Sequence, residues 1–238
     1  MNIALIGYGK MGQTIEKLAK VAGHEVVLTI DKDNLSDFTA EKFQDVDVAI
    51  EFTRPEFAFD NIIKCIRLGV PIVSGTTAWL DRYDEAVAIC EEEGGAFFYA
   101  SNYSIGVNIF FALNKYLAKL MDQQEQYDIE MTEIHHTQKL DAPSGTAITL
   151  AEGIFESLGR KDKWEGEGAS SSNVLPIFSK REEAVPGTHE VKYTSIIDDI
   201  EIKHTAHTRE GFAKGALNAA LWLVGKKGVF GMKDMLGF

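Results

Sequence analysis

The chain is poor in cysteine and has no long apolar run. Its 238 residues include two cysteines, Cys65 and Cys90. Two are too few for a disulfide framework, so we expect buried thiols in a reducing compartment. No apolar run reaches the roughly 18–20 residues that span a membrane, and the first residues lack the basic segment and cleavage site of a signal peptide. These absences predict a cytoplasmic protein.

Positive charge is also scarce. A net charge of -12 and a pI near 5.0 argue against non-specific binding to nucleic acid or to an anionic membrane. The rest of the composition, 45% hydrophobic and 25% charged, is that of an ordinary globular protein. A chain of 238 residues is long enough for two small domains.

Predicted strands and helices alternate over the first hundred residues. Apolar and β-branched runs predict strands at Asn2–Ile6, Glu25–Ile30, 47–52, 70–73 and 96–100. Helices are predicted between them, including one over about 80–93. This alternation is typical of an α/β fold with a Rossmann-type, doubly wound parallel sheet.

The pattern changes after residue 103. It predicts helices over 106–121, 144–158 and about 210–224, a strand over 127–134, antiparallel strands over 190–196 and 200–205, and a polar loop, long enough to be mobile, over 161–173. The first of these helices carries an apolar stripe of Ile109, Phe110, Leu113, Leu117 and Leu120. We therefore predict a dinucleotide-binding domain formed by 1–103 and 209–238, and a second α+β domain with a mixed sheet over 104–208.

The first turn of the chain carries a glycine pattern. Gly7-Tyr8-Gly9-Lys10-Met11-Gly12 fits G-x-G-x-x-G between a predicted strand and a predicted helix. The first glycine permits the tight turn, the second lets a pyrophosphate approach the backbone, and the third brings helix against strand. The helix start then offers free N–H groups to the phosphates. This context predicts a dinucleotide site.

An acid and a lysine follow the second predicted strand. Asp31 stands where a carboxylate can accept hydrogen bonds from the adenine ribose, which favours NAD. Lys32 can neutralise the additional phosphate of NADP. The choice between NADH and NADPH stays open on these two residues.

Polar loops follow the fourth and fifth predicted strands. Gly75-Thr76-Thr77 ends one strand, and Ser101-Asn102-Tyr103 ends the other. Ligands of open α/β sheets bind beyond the carboxyl ends of the strands. We therefore expect both loops to face the cofactor.

Two of the six histidines, His135 and His136, stand together shortly before Lys139 and a predicted helix start. Ser144 fits the N-cap of that helix, and the N–H groups at such a start can receive a carboxylate. A lysine supplies a point charge, and a histidine transfers protons near neutral pH. The segment predicts a pocket for a small anionic substrate that undergoes proton transfer.

Other functions are open on the same residues. A metal-dependent hydrolase could use His135, His136, His204 and His207, although alternation along strands makes a shared ion awkward. A cofactor-sensing protein without turnover would also need the glycine turn. A sugar oxidoreductase of similar layout would carry Glu-Lys-Pro after the fourth strand, where this chain has Ser74-Gly75-Thr76-Thr77.

The chain resembles the dihydrodipicolinate reductases (4-hydroxy-tetrahydrodipicolinate reductases) of lysine and diaminopimelate biosynthesis over essentially its whole length. The most specific part is Glu133-Ile134-His135-His136 through Lys139, followed by Asp141-Ala142-Pro143-Ser144-Gly145-Thr146-Ala147. Further matching segments are Phe52-Thr53-Arg54-Pro55, Gly75-Thr76-Thr77, Asn102-Tyr103-Ser104-Ile105-Gly106-Val107-Asn108, Gly187-Thr188-His189, Phe212-Ala213-Lys214-Gly215-Ala216 and Ala220-Leu221-Trp222.

The resemblance implies a role for each matching residue. His135 matches the family's proton donor or acceptor, and Lys139 its second catalytic residue. Positions that match substrate-binding residues are His136, Ser144, Gly145 and Thr146. Positions that match cofactor-binding residues are the turn at 7–12, Gly75, Thr76, Thr77, Ala100, Ser101, Asn102 and Tyr103.

The resemblance further implies the reaction and the assembly. It implies a cyclic dicarboxylate substrate that is reduced with NADH or NADPH, no metal, and a homotetramer built from the sheets of the second domain. Two departures stand out. The first turn lacks the extra residue that many members carry, and a usual Arg-x-Gly reads Arg181-Glu182-Glu183 here, which leaves the loop around Glu183 open.

Overall fold

The computed structural model describes residues 1–166, 171–208 and 210–238. The chain forms two compact units, Met1–Ile105 with Glu210–Phe238, and Gly106–Arg209. What each unit binds stays a prediction. Among the described residues, no helix has both the length and the apolar character needed to cross a bilayer.

The first unit contains six strands, β1 (Asn2–Ile6), β2 (Glu25–Ile30), β3 (Val48–Glu51), β4 (Ile72–Ser74), β5 (Ala96–Tyr99) and, from the end of the chain, β11 (Gly228–Phe230). Its helices are α1 (Lys10–Val21), α2 (Ala40–Phe43), α3 (Pro55–Arg67), α4 (Tyr83–Glu92), α7 (Glu210–Leu223) and α8 (Met232–Leu236). The second unit contains β6 (Asp128–His135), β7 (Lys163–Glu165), β8 (Val174–Arg181), β9 (Gly187–Thr194) and β10 (Asp199–Ala206), with helices α5 (Ile105–Met121) and α6 (Gly145–Phe155).

The sheet of the first unit confirms the predicted doubly wound fold. Its strand order is β11-β5-β4-β3-β1-β2, and every pairing is parallel. Alternate residues of β1 enter different cores, because successive side chains of a strand point to opposite faces. Ala4 and Ile6 pack in the core that contains α3, whereas Ile3 and Leu5 pack in the core that contains α1 and α7. Helices therefore cover both faces of the sheet.

Most predicted boundaries in this unit are correct to within a residue. The fourth strand was predicted from residue 70 but begins at Ile72, because Pro71 has no N–H to give to a ladder. The helix predicted over 80–93 opens as a 3₁₀ turn at Leu80–Arg82 before α4. Cys65 and Cys90 are both buried free thiols, as predicted.

The second unit contains the predicted mixed sheet, in the order β10-β9-β6-β8-β7. Strand β6 pairs antiparallel with β9 and parallel with β8. Strands β9 and β10 form the predicted antiparallel pair. The central position of β6 places its residues between side chains of two neighbouring strands.

Two predictions for this unit need correction. The predicted loop over 161–173 contains strand β7, which pairs with β8 at Glu165 and Pro176, while residues 167–170 lie outside the described part. Strand β8 was not predicted, because Pro176 marks a stretch as unsuitable for a paired strand.

In the apolar stripe of α5, Phe110 is buried, but Ile109, Leu113 and Leu120 are about half exposed at 50%, 46% and 54%. In the first unit, strand β11 and helix α8 were also missed, because each is very short.

Candidate active site

The glycine turn of the first unit has three glycines in three different surroundings. Gly7 has φ +92°, and a Cβ added there would lie 2.0 Å from the Phe52 carbonyl oxygen. A Cβ on Gly12 would lie 2.4 Å from the Gly7 carbonyl oxygen. Gly9 has no neighbour within 4 Å of such a Cβ. A side chain would therefore clash at Gly7 and Gly12, whereas the backbone at Gly9 faces open space. That open space suits the approach of a phosphate.

A cavity of about 430 Å³ adjoins this turn and includes Asp31 and Lys32. The Asp31 carboxylate accepts a hydrogen bond from the Lys32 backbone N–H at 2.8 Å. Sequence reasoning did not assign eight other residues that line this cavity, namely Ile6, Ile30, Leu35, Phe52, Thr53, Arg54, Phe57 and Asn61. The polar pair Thr53-Arg54, shortly after β3, was the available signal for two of them.

A second cavity of about 360 Å³ joins two of the predicted segments. It is lined by Gly9, Lys10 and Met11 of the glycine turn and by Gly75, Thr76 and Thr77 after β4. The parallel sheet brings these segments together, because the carboxyl ends of its strands meet at one edge.

A buried glutamate fixes the loops after β3 and β4. Glu51 is fully buried, and its carboxylate accepts hydrogen bonds from the hydroxyls of Ser74 at 2.6 Å and Thr76 at 2.8 Å. It also accepts from the Thr53 backbone N–H at 3.0 Å and from the Thr53 hydroxyl. Sequence reasoning missed Glu51, although a charged residue at the end of the apolar run Val-Ala-Ile was a signal.

Residues 100–103 line neither of these cavities. Tyr103 is buried, and its hydroxyl donates to the Ser74 carbonyl oxygen at 2.6 Å. Burial holds the pKa of the Tyr103 phenol well above its usual range. A Cβ on Gly215 would lie 1.8 Å from the Tyr103 carbonyl oxygen, so α7 passes directly against this loop. Ala100 is buried and Ser101 exposed, while the Asn102 side chain accepts from the Ser104 N–H at 2.9 Å.

In the second unit, sheet register assembles a group of polar side chains. Glu133 and His135 are two residues apart on β6, so both point to the same face, and both are buried. Glu133 lies opposite His189 of β9 and Ser179 of β8, and His135 lies opposite Arg181 of β8.

The Glu133 carboxylate is the centre of this group. One of its oxygens, Oε2, accepts from the Ser144 backbone N–H at 3.0 Å and lies 3.4 Å from His135 Nδ1 and 3.8 Å from His189 Nε2. The other, Oε1, lies 3.5 Å from the Arg181 guanidinium. These contacts join three strands to the beginning of α6.

Ser144 caps α6, as predicted. Its hydroxyl accepts from the Ala147 N–H at 3.2 Å and lies 3.1 Å from His189 Nε2. Gly145 begins the helix and is exposed, with no atom within 4 Å of a Cβ built on it. The first N–H groups of a helix have no partner within it, so Gly145 and Thr146 offer donors next to open space.

The buried groups shift each other's protonation. Burial raises the pKa of the Glu133 carboxyl, but hydrogen bonds from Ser144 and Ser179 outweigh it, so the pKa ends below its ordinary value. Burial lowers the pKa of His135, and the Glu133 charge only partly opposes this. Burial also lowers the pKa of His189, to about 4. At neutral pH the site therefore holds an ionised carboxylate between two neutral imidazoles.

Lys139 is held beside an exposed carboxylate. Its Nζ lies 2.9 and 2.8 Å from the two carboxylate oxygens of Asp141, whose pKa it lowers. Arg181 donates to the backbone carbonyls of Lys139 at 3.3 Å and Asp141 at 2.8 Å. The positive charges of Lys139 and Arg181 add to the effect of burial in lowering the pKa of His135. Lys139 and Arg181 thus place positive charge beside the buried His135.

The departure at Arg181-Glu182-Glu183 leaves this arrangement in place. The Glu182 N–H donates to the His135 carbonyl oxygen at 2.9 Å, which continues the pairing of β8 with β6. Ala184 has φ +60°, a left-handed conformation that an alanine rarely adopts. The turn between β8 and β9 is therefore strained, although Arg181 keeps its contact with Glu133.

The described residues do not bring together the four histidines considered for the alternative, a metal-dependent hydrolase. Of the four that were considered, only His135 belongs to a group with metal-ligand spacing, and its partners are Glu133 and His189. That group offers one carboxylate, which already accepts from the Ser144 N–H and lies beside the Arg181 guanidinium. A neighbouring cation disfavours a divalent ion at this place.

Comparison with protein families matches both parts of the chain. Residues 1–103 match the family model "Dihydrodipicolinate reductase, N-terminus", and residues 106–236 match "Dihydrodipicolinate reductase, C-terminus". A 4-hydroxy-tetrahydrodipicolinate reductase of Christiangramia forsetii is 52% identical over 240 residues, covering 99% of this chain and 98% of the relative. One of Methanoregula boonei is 36% identical, covering 96% and 94%.

Solved structures show the same fold. A dipicolinate-bound dihydrodipicolinate reductase of Paenisporosarcina sp. TG-14 superposes with a TM-score of 0.80 at 23% identity, covering 99% of both chains. An amine dehydrogenase of Mycobacterium smegmatis has a TM-score of 0.61 at 11% identity, covering 96% of this chain and 94% of that one.

Proposed function

Because the chain belongs to the dihydrodipicolinate reductase family, we propose that it reduces 4-hydroxy-tetrahydrodipicolinate to tetrahydrodipicolinate. The reaction uses NADH or NADPH, releases water, and serves lysine and diaminopimelate biosynthesis. The observation that carries this proposal is the buried His135 beside Glu133 and the capped start of α6, with Lys139 in the same group. That arrangement combines a proton-transfer group with donors for a carboxylate.

The first unit is assigned to the cofactor. The turn at residues 7–12 would hold the pyrophosphate, and Asp31 and Lys32 the adenine ribose. Residues 75–77 and 100–103 would surround the nicotinamide ribose and ring. When bound, the reduced nicotinamide supplies a hydride. The open backbone at Gly9 and the two cavities beside it support this assignment.

The second unit is assigned to the substrate. One carboxylate of the cyclic dicarboxylate would accept from the N–H groups of Gly145 and Thr146, next to the Ser144 cap. Lys139 and His136 would balance the charge of the dianion. Lys139 is held by Asp141 in the free protein, so it exchanges one carboxylate partner for another when substrate binds.

His135 is assigned the proton that accompanies the hydride. In the free protein its pKa is below the ordinary value, so it is neutral at neutral pH. A bound dianion favours the charged imidazolium, because an opposite charge nearby raises a histidine pKa. Substrate binding therefore favours the protonated form of His135, which can then act as the general acid.

The activity is tested by measuring consumption of NADH and NADPH while a coupled enzyme generates the unstable substrate in place. Steady, substrate-dependent oxidation is expected. It would exclude a protein that senses the cofactor without turnover. No consumption with either cofactor would contradict the proposal.

The assembly is assigned as a cytoplasmic homotetramer formed through the sheets of the second unit. Strand β10 lies at an edge of that sheet, and Ile196 and Ile197, between β9 and β10, are exposed. Exposed apolar groups and an open strand edge favour association. Sedimentation velocity should give about four times the chain mass, and a monomer would exclude this assembly.

A further inference from the structure

Glu133 lies within the segment that most resembles the family, yet the resemblance implies no role for it. Glu133 is fully buried in the central strand of its sheet, two residues before His135. A buried charge is destabilising unless it is paired and hydrogen-bonded. Its retention here, among the residues assigned to chemistry, calls for a reason beyond packing.

The contacts of Glu133 use both carboxylate oxygens. Oε2 accepts a hydrogen bond from the Ser144 N–H, and Oε1 lies 3.5 Å from the Arg181 guanidinium. His135 Nδ1 is buried and, among the described residues, makes no hydrogen bond of good geometry. Glu133 Oε2 lies 3.4 Å from it. This distance is just longer than the roughly 2.7–3.2 Å of a well-formed N–H···O hydrogen bond.

An ionised carboxylate can only accept hydrogen bonds, so it selects the imidazole tautomer that carries its proton on the facing nitrogen. The pKa of Glu133 is lowered, so the carboxylate is ionised at neutral pH. For neutral His135, the proton is then on Nδ1, and Nε2 is left to exchange a proton with another group. The same logic operates in the catalytic triad of serine proteases, where a buried aspartate orients the histidine.

We propose that Glu133 is a positioning residue. Its carboxylate holds the His135 proton on Nδ1, presents Nε2 for proton transfer, and ties the start of α6 to the same strand. The catalytic part of this inference rests on the proposed reductase function, whereas the tautomer can be measured in the free protein.

The first experiment measures the tautomer of His135 in the full chain by ¹⁵N NMR of the imidazole nitrogens at neutral pH. His135→Gln identifies the signal by its loss. The expected pattern is protonated Nδ1 and unprotonated Nε2. The opposite tautomer in the unsubstituted protein overturns the proposal, whatever any variant does.

The second experiment uses Glu133→Gln, which keeps the shape and an acceptor for the Ser144 N–H but removes the charge. Turnover should fall by about 10²–10⁴-fold, the range for a misoriented acid–base histidine, with a smaller change in KM. The His135 signal should move toward the other tautomer. An unchanged tautomer together with unchanged turnover overturns the proposal.

The pH profile separates positioning from simple structural support. The titratable and charged groups that face His135 are Glu133 from its own strand, Lys139 and His136 from the following loop, and Arg181 from β8, with His189 adjacent on β9. Glu133 alone among these raises the pKa of His135. In Glu133→Gln, the limb of the rate profile that reports His135 should therefore move to lower pH. A lower melting temperature with an unmoved limb overturns the proposal.

Two controls complete the test. Glu130→Gln makes the same change on the same strand, outside this group of side chains, and should leave tautomer, turnover and pH limb unchanged. Glu133→Asp keeps the charge and should preserve the tautomer if Glu133→Gln fails to fold.

Stoichiometric zinc held by Glu133 and His135 in the purified protein would overturn the proposal, because a metal on His135 Nδ1 replaces its proton. Absence of reductase activity with the Nδ1–H tautomer intact would reject the proposed function but not the tautomer assignment.

Discussion

Gly187 leaves the space that the His135 ring occupies. A Cβ built on Gly187 would lie 3.1 Å from His135 Nε2 and 3.3 Å from Cδ2, closer than most real Cβ contacts. The absence of a side chain at this position of β9 thus leaves room for the imidazole. The backbone conformation does not by itself require a glycine there, because Gly187 does not have a positive φ.

We therefore expect Gly187→Ala to displace the His135 ring by a few tenths of an ångström. Turnover should fall by about tenfold, since misplacement by 1 Å costs about 10²-fold. Steady-state kinetics checks this. Gly159→Ala, where a Cβ meets nothing within 4 Å, is the matched control and should retain full activity. Full activity in both variants would show that the ring tolerates the contact.

His135→Gln should lower turnover by about 10²–10⁴-fold, because it removes the proton-transfer group. Cofactor affinity, measured by fluorescence titration with NADH, should be nearly unchanged. His207→Gln, at an exposed position, should behave as the unsubstituted protein. Near-normal turnover in His135→Gln would reject the catalytic assignment.

Lys139→Ala should reduce turnover and raise KM for the substrate, because it removes a cation that faces a dianion. Lys163→Ala is the control, since it breaks a comparable ion pair, in which Lys163 Nζ lies 3.0 Å from Glu165 Oε1. If Lys139→Ala leaves both kinetic parameters intact, the ion pair with Asp141 is only a surface contact.

Stability should fall in mild acid because of His189. Burial lowers its pKa from the ordinary 6.5 to about 4, with His135, His204 and Lys139 acting in the same direction and Glu133 against it. Between these two values the unfolded chain binds more protons than the folded one, so the free energy of unfolding decreases as pH falls from 6.5 toward 4. The loss is on the order of 2–3 kcal/mol.

Urea unfolding at several pH values across that window measures this slope. His189→Gln should flatten it, and His207→Gln should not. An identical slope in His189→Gln would place the titrating group elsewhere.

Asp31 and Lys32 should allow the use of both cofactors. Asp31 favours the ribose hydroxyls of NADH and repels the added phosphate of NADPH, which Lys32 offsets. Contacts of this kind are each worth about 1–3 kcal/mol. We expect specificity constants for the two cofactors to differ by less than about a hundredfold, since 1.4 kcal/mol is about tenfold.

Lys32→Ala should selectively impair NADPH, and Asp31→Ala should selectively impair NADH. Specificity constants for both cofactors in the parent and in the two variants test this. Equal losses with both cofactors would mean that the pair does not distinguish the ribose.

Local signals in the sequence were enough for much of the fold. The strands β1 and β2 were predicted to the residue, because the apolar run of β1 ends at a glycine and the largely β-branched run of β2 ends at an acid. The Ser144 cap was predicted because capping depends on neighbours along the chain. The glycine turn was predicted from its local spacing, whereas only the assembled sheet shows that the Phe52 carbonyl after β3 leaves no room for a Cβ on Gly7.

Strand β8 was missed because its local and tertiary signals disagree. Pro176 argues against a paired strand, yet β8 pairs with β6 beyond the proline and with the short β7 beside it. Only the assembled sheet provides those partners.

The sequence by itself determined that His135, Lys139 and the start of α6 belong to one segment, because short-range spacing specifies them. Only the tertiary structure decided that Glu133 would meet His189, Ser179 and Arg181. These residues are more than 40 positions away along the chain, and the register of β6 against β9 and β8 brings them together. Strand register depends on which faces of several strands are buried together, so no local pattern contains it.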